Sequence, residues 1–348
     1  MSKAHKLAVY ILRGQPFHNA HLDTIKIAAT IADKVLIILG SAQESRTLKN
    51  PFTVSERKAM VIDAIQTIDI KADFYTDHTR DYLYDDNEWA DGIKELAHNL
   101  EEDDSNIVLV GHDKDESTFY MTMFKDWHLH AIDNLHNQLN ASDIRELYFD
   151  DKDHFHIIEK LVPQTTLSFL KEFKDSEGYN SVMDFKQFIA DFKKPYAELP
   201  YGILFNTVDL VITCKNKVVL ITRGNHPFKG KLALMGGFIN EGERSIRACL
   251  RECKEETGLI VSESQIKGHH VFEHPKRDPR GHFTTFAYWI ELESEMAVVG
   301  QDDAVHADYY DIDQLTPEMV AGDHWDIIQH FLKSVSYTHL TLPTKRIV

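Results

Sequence analysis

The first third of the chain alternates short apolar runs with segments of helical periodicity, and this alternation restricts the possible folds more than any other feature. The apolar runs have strand length and cover residues 7–12, 35–39 and 107–110, and residues 73–76 are predicted to form a short strand. The helical segments between them cover residues 21–32, 55–68 and 88–100. Strands and helices that alternate in this way predict a parallel sheet with helices on both faces. Such sheets bind ligands at the carboxyl ends of their strands.

The second half has a different pattern, with strands at 203–214, 218–222, 283–292 and 305–311 and one helix at 245–257. This predicts an α+β domain with a mixed sheet. The helical pattern of residues 162–192 is broken by prolines between 193 and 200. Because 348 residues favour two domains, we expect one domain at 1–192 and another at 200–335. Residues 336–348 differ in composition and look like a vector-derived tail.

Charge and cysteine content limit the kinds of partner and compartment. The formal net charge is -17 and no run of Lys or Arg exceeds two residues, which argues against a nucleic-acid or membrane partner. Small phosphorylated ligands need only local positive groups, so they remain open. No apolar stretch reaches the length of a membrane span, and the N-terminus lacks a signal-peptide cleavage site. An odd number of cysteines, three, favours reduced thiols and a cytoplasmic protein.

Residues 237–259, GFINEGERSIRACLRECKEETGL, place three glutamates on one face of a predicted helix. Glu252, Glu255 and Glu256 have the i, i+3, i+4 spacing of helical neighbours. Carboxylates on a helix between two tight turns suit Mg²⁺ or Mn²⁺. The alternative is a solvated acidic face paired with Arg251 and Lys254, which the glycines on both sides disfavour.

This stretch resembles the Nudix box, Gly-x5-Glu-x7-Arg-Glu-U-x-Glu-Glu-x-Gly-U, in which U is a bulky apolar residue. The matching residues are Gly237, Glu243, Arg251, Glu252, Glu255, Glu256, Gly258 and Leu259. Cys253 occupies the other apolar position, a mild departure. The resemblance implies a Nudix fold in which Gly237 and the three helical glutamates form the metal site. A bound metal would polarise a diphosphate and activate a water molecule.

Residues 274–289, HPKRDPRGHFTTFAYW, are similar to a segment of Nudix hydrolases that act on ADP-ribose. Pro275 lies near the position that marks that subgroup. The resemblance implies hydrolysis of ADP-ribose to AMP and ribose 5-phosphate, with Arg277 and Arg280 gripping phosphates or stacking on a base. The alternative is a polar hairpin turn with Asp278-Pro279 at its tip.

Residues 13–21, RGQPFHNAH, follow the first predicted strand and open a helix. A helix N-terminus there offers N–H groups and a positive dipole to a phosphate. The imidazoles of His18 and His21 can donate hydrogen bonds to phosphate oxygens as charge builds during transfer. His-x-x-His alone is a weak signal in a chain with 20 histidines, and its place after a strand strengthens it.

This segment is similar to the Gly-Arg-Phe-Gln-Pro-Phe-His-x-Gly-His signature of archaeal-type nicotinamide mononucleotide (NMN) adenylyltransferases. Those enzymes belong to the nucleotidylyltransferase superfamily, which has a Rossmann-like parallel sheet. The signature differs at three positions, Leu12, Gly14 and Ala20. The resemblance implies that the first domain makes NAD from NMN and ATP. The implied site residues are Arg13, Gln15, Phe17, His18 and His21.

Three other segments extend the same resemblance. Residues 140–145 resemble the Ser-Ser/Ala-Thr-x-Ile-Arg motif, which implies that Ser142 and Arg145 contact the ATP phosphates. Residues 111–120 resemble the loop after the fourth strand, which implies that Gly111 and Asp113 lie along the nucleotide. Trp89 matches a position where a ring stacks on nicotinamide, although a residue of this type on a helix face is equally well explained by core packing.

The order of the two domains resembles that of bifunctional NMN adenylyltransferase/Nudix hydrolases. The resemblance implies Mg²⁺ or Mn²⁺ as cofactor, ATP as substrate, and NMN, NAD and ADP-ribose as further ligands. A homo-oligomer remains open. One alternative is adenylyl transfer to another phosphate together with a Nudix domain that acts on other nucleoside diphosphate derivatives. Another is a non-catalytic Nudix sensor of NAD metabolites.

Overall fold

The computed structural model describes residues 3–43, 45–112, 121–132, 139–302 and 304–338. The chain divides into two compact units, Met1–Gln187 and Phe188–Val348, here called the first and second unit. The division falls inside a helix, a few residues before the proline-containing stretch at 193–200. No helix in the described ranges is long and apolar enough to cross a membrane.

The first unit contains a five-stranded sheet in the order β3-β2-β1-β4-β5, and every pairing is parallel. Its strands are β1 (His5–Leu12), β2 (Ala32–Leu39), β3 (Asp73–His78), β4 (Ile107–His112) and β5 (His128–Ile132). Its helices are α1 (Asn19–Ile31), α2 (Val54–Ile65), α3 (Asp86–His98), α4 (Ala141–Tyr148), α5 (Phe155–Ile158) and α6 (Gln164–Phe173), with α7 (Glu177–Lys193) running across the division. The predicted parallel α/β architecture is confirmed.

Both faces of this sheet are buried, which explains the continuous apolar runs of its central strands. Alternate residues of β1 point to opposite faces. Ala8 and Tyr10 pack in one core with residues of α1, α2, α4 and α6, whereas Leu7 and Val9 pack in another with residues of α3. The sequence pattern does not predict β5, because it is an edge strand whose first residues, His128 and Leu129, are exposed.

A buried arginine ties together the carboxyl ends of β1 and β2. Arg57 of α2 is 1 % exposed, and its guanidinium donates to three backbone carbonyls. Nη1 lies 2.6 Å from Arg13 O and 2.7 Å from Gly40 O, and Nη2 lies 3.2 Å from Ser41 O. Burial lowers the pKa of Arg57 to about 10. The loop that carries the predicted histidines begins at this anchor.

The second unit contains a mixed sheet in the order β11-β7-β6-β10-β9, with β8 paired to β7. Its strands are β6 (Leu204–Cys214), β7 (Lys217–Arg223), β8 (Leu232–Ala233), β9 (Ile266–Phe272), β10 (His282–Glu291) and β11 (Ala304–Asp311), and its helices are α8 (Ser245–Thr257) and α9 (His324–Thr338). Among the strand pairs of the described residues in this unit, β6 and β10 are parallel and the others are antiparallel. The predicted mixed sheet is confirmed.

The helices α8 and α9 contribute to different cores of the second unit. Cys249 and Cys253 of α8 pack with β6 residues such as Leu210 and Ile212, and burial raises the pKa of both thiols. Ile327 and Phe331 of α9 pack in the other core. The sequence pattern does not predict β9, an edge strand with mostly exposed residues, or α9.

We expect Arg57→Met to lower the free energy of unfolding of the first unit by about 2–4 kcal/mol, because three carbonyls lose their donor. Hydrogen–deuterium exchange of the β1 and β2 amides would measure the loss. The control is Lys58→Met, which removes the same charge from the exposed neighbouring position. It should change stability by less than about 0.5 kcal/mol. Equal effects of the two substitutions would contradict the anchoring role.

Candidate active sites

A cavity of about 420 Å³ lies at the carboxyl end of β1 in the first unit. Its walls come from the loop after β1, the first turn of α1, and the start of α4. The two helices therefore present their N-termini to the same space, which favours an anionic ligand. The predicted site residues that line the cavity are Arg13, Gln15, His18, His21, Ser142 and Arg145.

The loop at this site is held by contacts that the sequence does not reveal. The Gln15 side chain pairs with the backbone of Phe52, donating to its carbonyl at 2.9 Å and accepting from its N–H at 3.0 Å. Phe17 is fully buried and packs in the core. Gly14 has φ +61°, a conformation that glycine adopts without strain. Gln15 and Phe17 thus shape the loop, and their predicted contacts with substrate remain predictions.

The two histidines lie at the N-terminus of α1 with their rings stacked. His18 is the N-cap and is 3 % exposed. Its ring centroid lies 3.5 Å from that of His21, and the two planes differ by 18°. The backbone N–H of His18 donates to His21 Nδ1 at 3.2 Å. Because Nδ1 accepts this hydrogen bond, the neutral imidazole of His21 carries its proton on Nε2. Nε2 is therefore the atom that can donate a hydrogen bond to a ligand.

Arg145 brings a second positive group to this cavity. Its guanidinium donates to Gln15 O at 2.7 Å and to Ser142 Oγ at 3.0 Å. Burial lowers the pKa of Arg145, and the nearby positive charge of Arg13 lowers it further. Two cations that repel each other beside two helix N-termini form a site that an anion would stabilise.

Three predicted residues of the first unit are placed elsewhere or are not described. Trp89 of α3 packs edge to face on Phe124, with ring centroids 6.1 Å apart, and it does not line the cavity. Gly111 is buried within β4. Asp113 lies outside the described residues. The roles of all three in nucleotide binding therefore remain predictions.

A second cavity, of about 190 Å³, lies in the second unit. It is lined by the loop after β7, by Gly236 and Gly237, by Glu256 of α8, and by residues before β10 and α9. Arg277 and Arg280 also line it. The predicted metal residues Glu252 and Glu255 are not among the lining residues.

The glycine pair allows two carboxylates to approach the backbone. A Cβ added at Gly237 would lie 2.6 Å from Glu252 Cδ, and one at Gly236 would overlap the Val208 carbonyl oxygen. The N–H of Gly236 donates to Glu256 Oε2 at 2.9 Å. A larger residue at either position would force a rearrangement. Gly237 leaves the space that the Glu252 carboxylate fills, and Gly236 lies against the Val208 backbone while its N–H binds Glu256.

The charges of the glutamates fit a divalent cation. Burial raises the pKa of Glu256 to about 8 and also raises the pKa of Glu252. A cation would favour their ionised forms, and carboxylate oxygens are the ligands that Mg²⁺ and Mn²⁺ prefer. Glu255 and Glu252 share the Arg251 guanidinium, whose Nη1 lies 3.0 and 2.6 Å from them. No three acidic, His or Cys side chains in the described ranges already converge as a metal cluster.

The two predicted phosphate-binding arginines have carboxylate partners within the protein. Arg277 is 7 % exposed and binds Asp323 through Nε at 2.7 Å and Nη2 at 2.9 Å. Arg280 binds Asp278 with Nη2 at 2.7 Å and lies over the Phe283 ring. Both line the cavity, but neither presents an unneutralised charge. Their roles in substrate binding remain predictions.

Several residues that line the cavities are absent from the sequence-based assignments. In the first unit these include Lys49. In the second unit they include Arg223 at the end of β7 and His324 at the start of α9. His324 Nδ1 accepts from Leu234 N–H at 2.9 Å, and burial lowers the pKa of this imidazole. The position of Arg223 at the end of a predicted strand could have indicated a ligand-binding residue, whereas nothing in the sequence indicates such a role for His324.

Known proteins resemble each unit. The Cytidylyltransferase-like family model matches residues 15–160, and the NUDIX domain model matches residues 204–331. The chain is 39 % identical over 174 residues to the nicotinamide/nicotinic acid mononucleotide adenylyltransferase of Acinetobacter baylyi, covering 50 % of this chain and 89 % of that protein. It is 41 % identical over 126 residues to the ADP-ribose pyrophosphatase of Methanocaldococcus jannaschii, covering 36 % and 72 % respectively.

The resemblance to solved structures extends over nearly the whole chain. A bifunctional NMN adenylyltransferase/ADP ribose pyrophosphatase from Francisella tularensis, complexed with AMP and a manganese ion, matches with a TM-score of 0.82 and 26 % identity. The match covers 95 % of this chain and 99 % of that one. The chain belongs to the family of bifunctional NMN adenylyltransferase/Nudix hydrolases. The family predicted from the two motifs is thus confirmed, with the adenylyltransferase unit first and the Nudix unit second.

In this bifunctional family member, Glu256→Gln should stabilise the Nudix unit when EDTA removes divalent metal. The folded-state pKa of about 8 exceeds the ordinary value of 4.5, so wild-type stability falls as pH rises through that interval. Glutamine carries no titrating proton and can still accept from Gly236 N–H. We therefore expect the melting temperature of the variant to exceed that of the wild type at pH 8 but not at pH 4.5.

Addition of Mn²⁺ at pH 8 should reverse this order, because only the wild type gains the metal's binding energy in full. Glu255→Gln is the matched control, since the neighbouring carboxylate is exposed. It should leave the melting temperature in EDTA nearly unchanged. A Glu256→Gln variant less stable than wild type in EDTA at pH 8 would show that the carboxylate is not desolvated as described.

Proposed function

We propose that the chain is a bifunctional enzyme of NAD metabolism. The first unit joins NMN and ATP to give NAD and pyrophosphate, and the second hydrolyses ADP-ribose to AMP and ribose 5-phosphate. The observation that carries this proposal is that one chain holds both a cavity lined by arginines and imidazoles and a cavity lined by Gly236, Gly237 and the buried carboxyl group of Glu256. The relatives of each half bear the names of these two activities.

In the first unit, the proposed reaction needs positive groups around the ATP phosphates. A phosphate oxygen of NMN bonds to the α-phosphorus of ATP, and the bond from that phosphorus to the bridging oxygen breaks, which releases pyrophosphate. His18 and His21, beside the N-terminus of α1, would donate to the α-phosphate oxygens. Arg145 and Arg13 would neutralise the leaving pyrophosphate.

In the second unit, a water oxygen bonds to one phosphorus of ADP-ribose and gives up a proton to solvent. The bond from that phosphorus to the bridging oxygen breaks, and the bridging oxygen stays on the other phosphate. A bound divalent metal supplies the Lewis acid and lowers the pKa of the attacking water. Glu252 and Glu256 would hold that metal against the glycine backbone. Arg251 would orient Glu252 and join the helix to Glu243, which it contacts at 2.9 Å.

Finer assignments complete the proposal. We infer that Mg²⁺ serves both reactions and that Mn²⁺ can replace it in the second unit, as carboxylate ligands permit. The acidic net charge supports small nucleotides as the partners in place of nucleic acid. Three buried cysteines with free thiols support a cytoplasmic location.

The proposal predicts that each activity can be removed separately. Purified protein would be given NMN, ATP and Mg²⁺ in one assay and ADP-ribose with Mg²⁺ in another, with products resolved by chromatography. We expect His18→Ala to lower the rate of NAD synthesis by about 10²- to 10⁴-fold and Glu256→Gln to lower the rate of ADP-ribose cleavage by about 10²-fold or more. Each variant should retain the other activity.

Matched controls are His156→Ala and Glu255→Gln, which alter exposed residues of the same types. His156→Ala should leave NAD synthesis unchanged, and Glu255→Gln should affect cleavage less than Glu256→Gln does. If ADP-ribose binds but is never cleaved, the second unit is a sensor. If NAD never forms, the first unit transfers adenylyl groups to a different phosphate.

A further inference from the structure

Three arginines line the cavity of the second unit, and their charges are compensated to different degrees. Arg277 and Arg280 come from the segment before β10, and Arg223 is the last residue of β7. A diphosphate beside a metal site needs a cation on the side away from the metal. The arginine best suited to bind the diphosphate is the one whose guanidinium has no carboxylate partner within the protein.

Arg277 and Arg280 are occupied by structural ion pairs. Two nitrogens of Arg277 bind the two oxygens of Asp323, and Nη2 also lies 3.5 Å from Asp209 Oδ2. These contacts join the segment before β10 to the start of α9 and to β6. Arg280 binds both oxygens of Asp278, and its Cζ lies 4.4 Å from the centroid of the Phe283 ring.

Arg223 is also held in place, but within the described ranges its guanidinium has no carboxylate at ion-pair distance. Its backbone forms two hydrogen bonds across the base of the following loop. The Arg223 N–H donates to Lys231 O at 3.0 Å, and the Arg223 carbonyl accepts from the Gly230 N–H at 2.9 Å. Its Nε donates to Pro227 O at 2.8 Å. Within the described ranges, its Nη atoms have no hydrogen-bond partner and it forms no ion pair within 4.0 Å.

The surroundings of Arg223 favour an anionic ligand. Burial lowers the pKa of its guanidinium, and the positive charge of Arg280 lowers it further. Glu256, Asp278 and Asp209 line the same cavity, and their charges oppose that shift without forming an ion pair with Arg223. The cavity lining therefore contains a guanidinium without an ion pair together with the carboxyl group of Glu256, and a metal-bound diphosphate requires groups of both kinds.

We propose that Arg223 binds the diphosphate of the substrate in the second unit, whereas Arg277 is a positioning residue that fixes the cavity wall. This assignment rests on the proposed hydrolase function. The planar guanidinium of Arg223 would donate its two Nη groups to phosphate oxygens, a geometry that lysine cannot reproduce. Asp323 and Asp209 would keep Arg277 in place whether or not substrate is bound.

The test compares Arg223→Met, Arg223→Lys and Arg277→Met in the full chain. Arg223→Met should raise KM for ADP-ribose about 10- to 100-fold, because a charged hydrogen-bond donor to the ligand is lost. Arg223→Lys should recover part of this loss. Both should keep the wild-type melting temperature of the second unit, which shows that this unit is folded, and both should make NAD from NMN and ATP at the wild-type rate. Arg277→Met should lower the melting temperature of the second unit, because Asp323 and Asp209 lose their partner.

Calorimetric titration of ADP-ribose into wild type and Arg223→Met, with Mg²⁺ present, gives an independent measure of binding. If the wild type binds ADP-ribose without cleaving it, the hydrolase proposal fails, and weaker binding by Arg223→Met still supports the role of Arg223. Unchanged KM and unchanged affinity in Arg223→Met would overturn the inference. A larger rise in KM for Arg277→Met with no change in melting temperature would assign the diphosphate to Arg277 instead.

Discussion

A charge that a fold removes from water must be neutralised, and the two cavities of this chain contain charges that the protein neutralises incompletely. In the first unit this is the guanidinium of Arg145, whose pKa is lowered by burial and by the nearby positive charge of Arg13, beside two helix N-termini. In the second unit, burial disfavours ionised Glu256. Such groups bind the opposite charge of a ligand, whereas paired groups such as Arg277 and Asp323 hold the structure together.

Both sites depend on a few rigid supports at the ends of strands. Arg57 joins the loops that leave β1 and β2, and the two hydrogen bonds between the Gln15 side chain and the Phe52 backbone hold the loop after β1. In the second unit, Gly236 and Gly237 let the helix α8 place its carboxylates against a backbone that a side chain would hold away. Preorganisation of this kind means that ligand binding need not order the loops first.

The sequence predicts well the strands that are buried on both faces and the helices with a periodic apolar face. It predicts poorly the edge strands and the contacts between residues far apart in the chain. The central strands β1, β2 and β4 are continuous apolar runs, and α8 has the boundaries that its pattern predicts, whereas β5 and β9 are edge strands with exposed residues. The glutamates and histidines follow from local motifs. The partner of Arg277 does not, because Asp323 is 46 residues away and only the fold brings the two together.

The most direct test of this account is to count the protons released when Mn²⁺ binds. Metal-free protein would be titrated by calorimetry at pH 7 in two buffers of different ionisation enthalpy. Because burial raises the pKa of Glu256 to about 8, most of that carboxyl is protonated at pH 7 and must lose its proton to bind metal. We predict release of about one proton per bound ion in the wild type and clearly less in Glu256→Gln. Heats that do not depend on the buffer in the wild type would contradict the account.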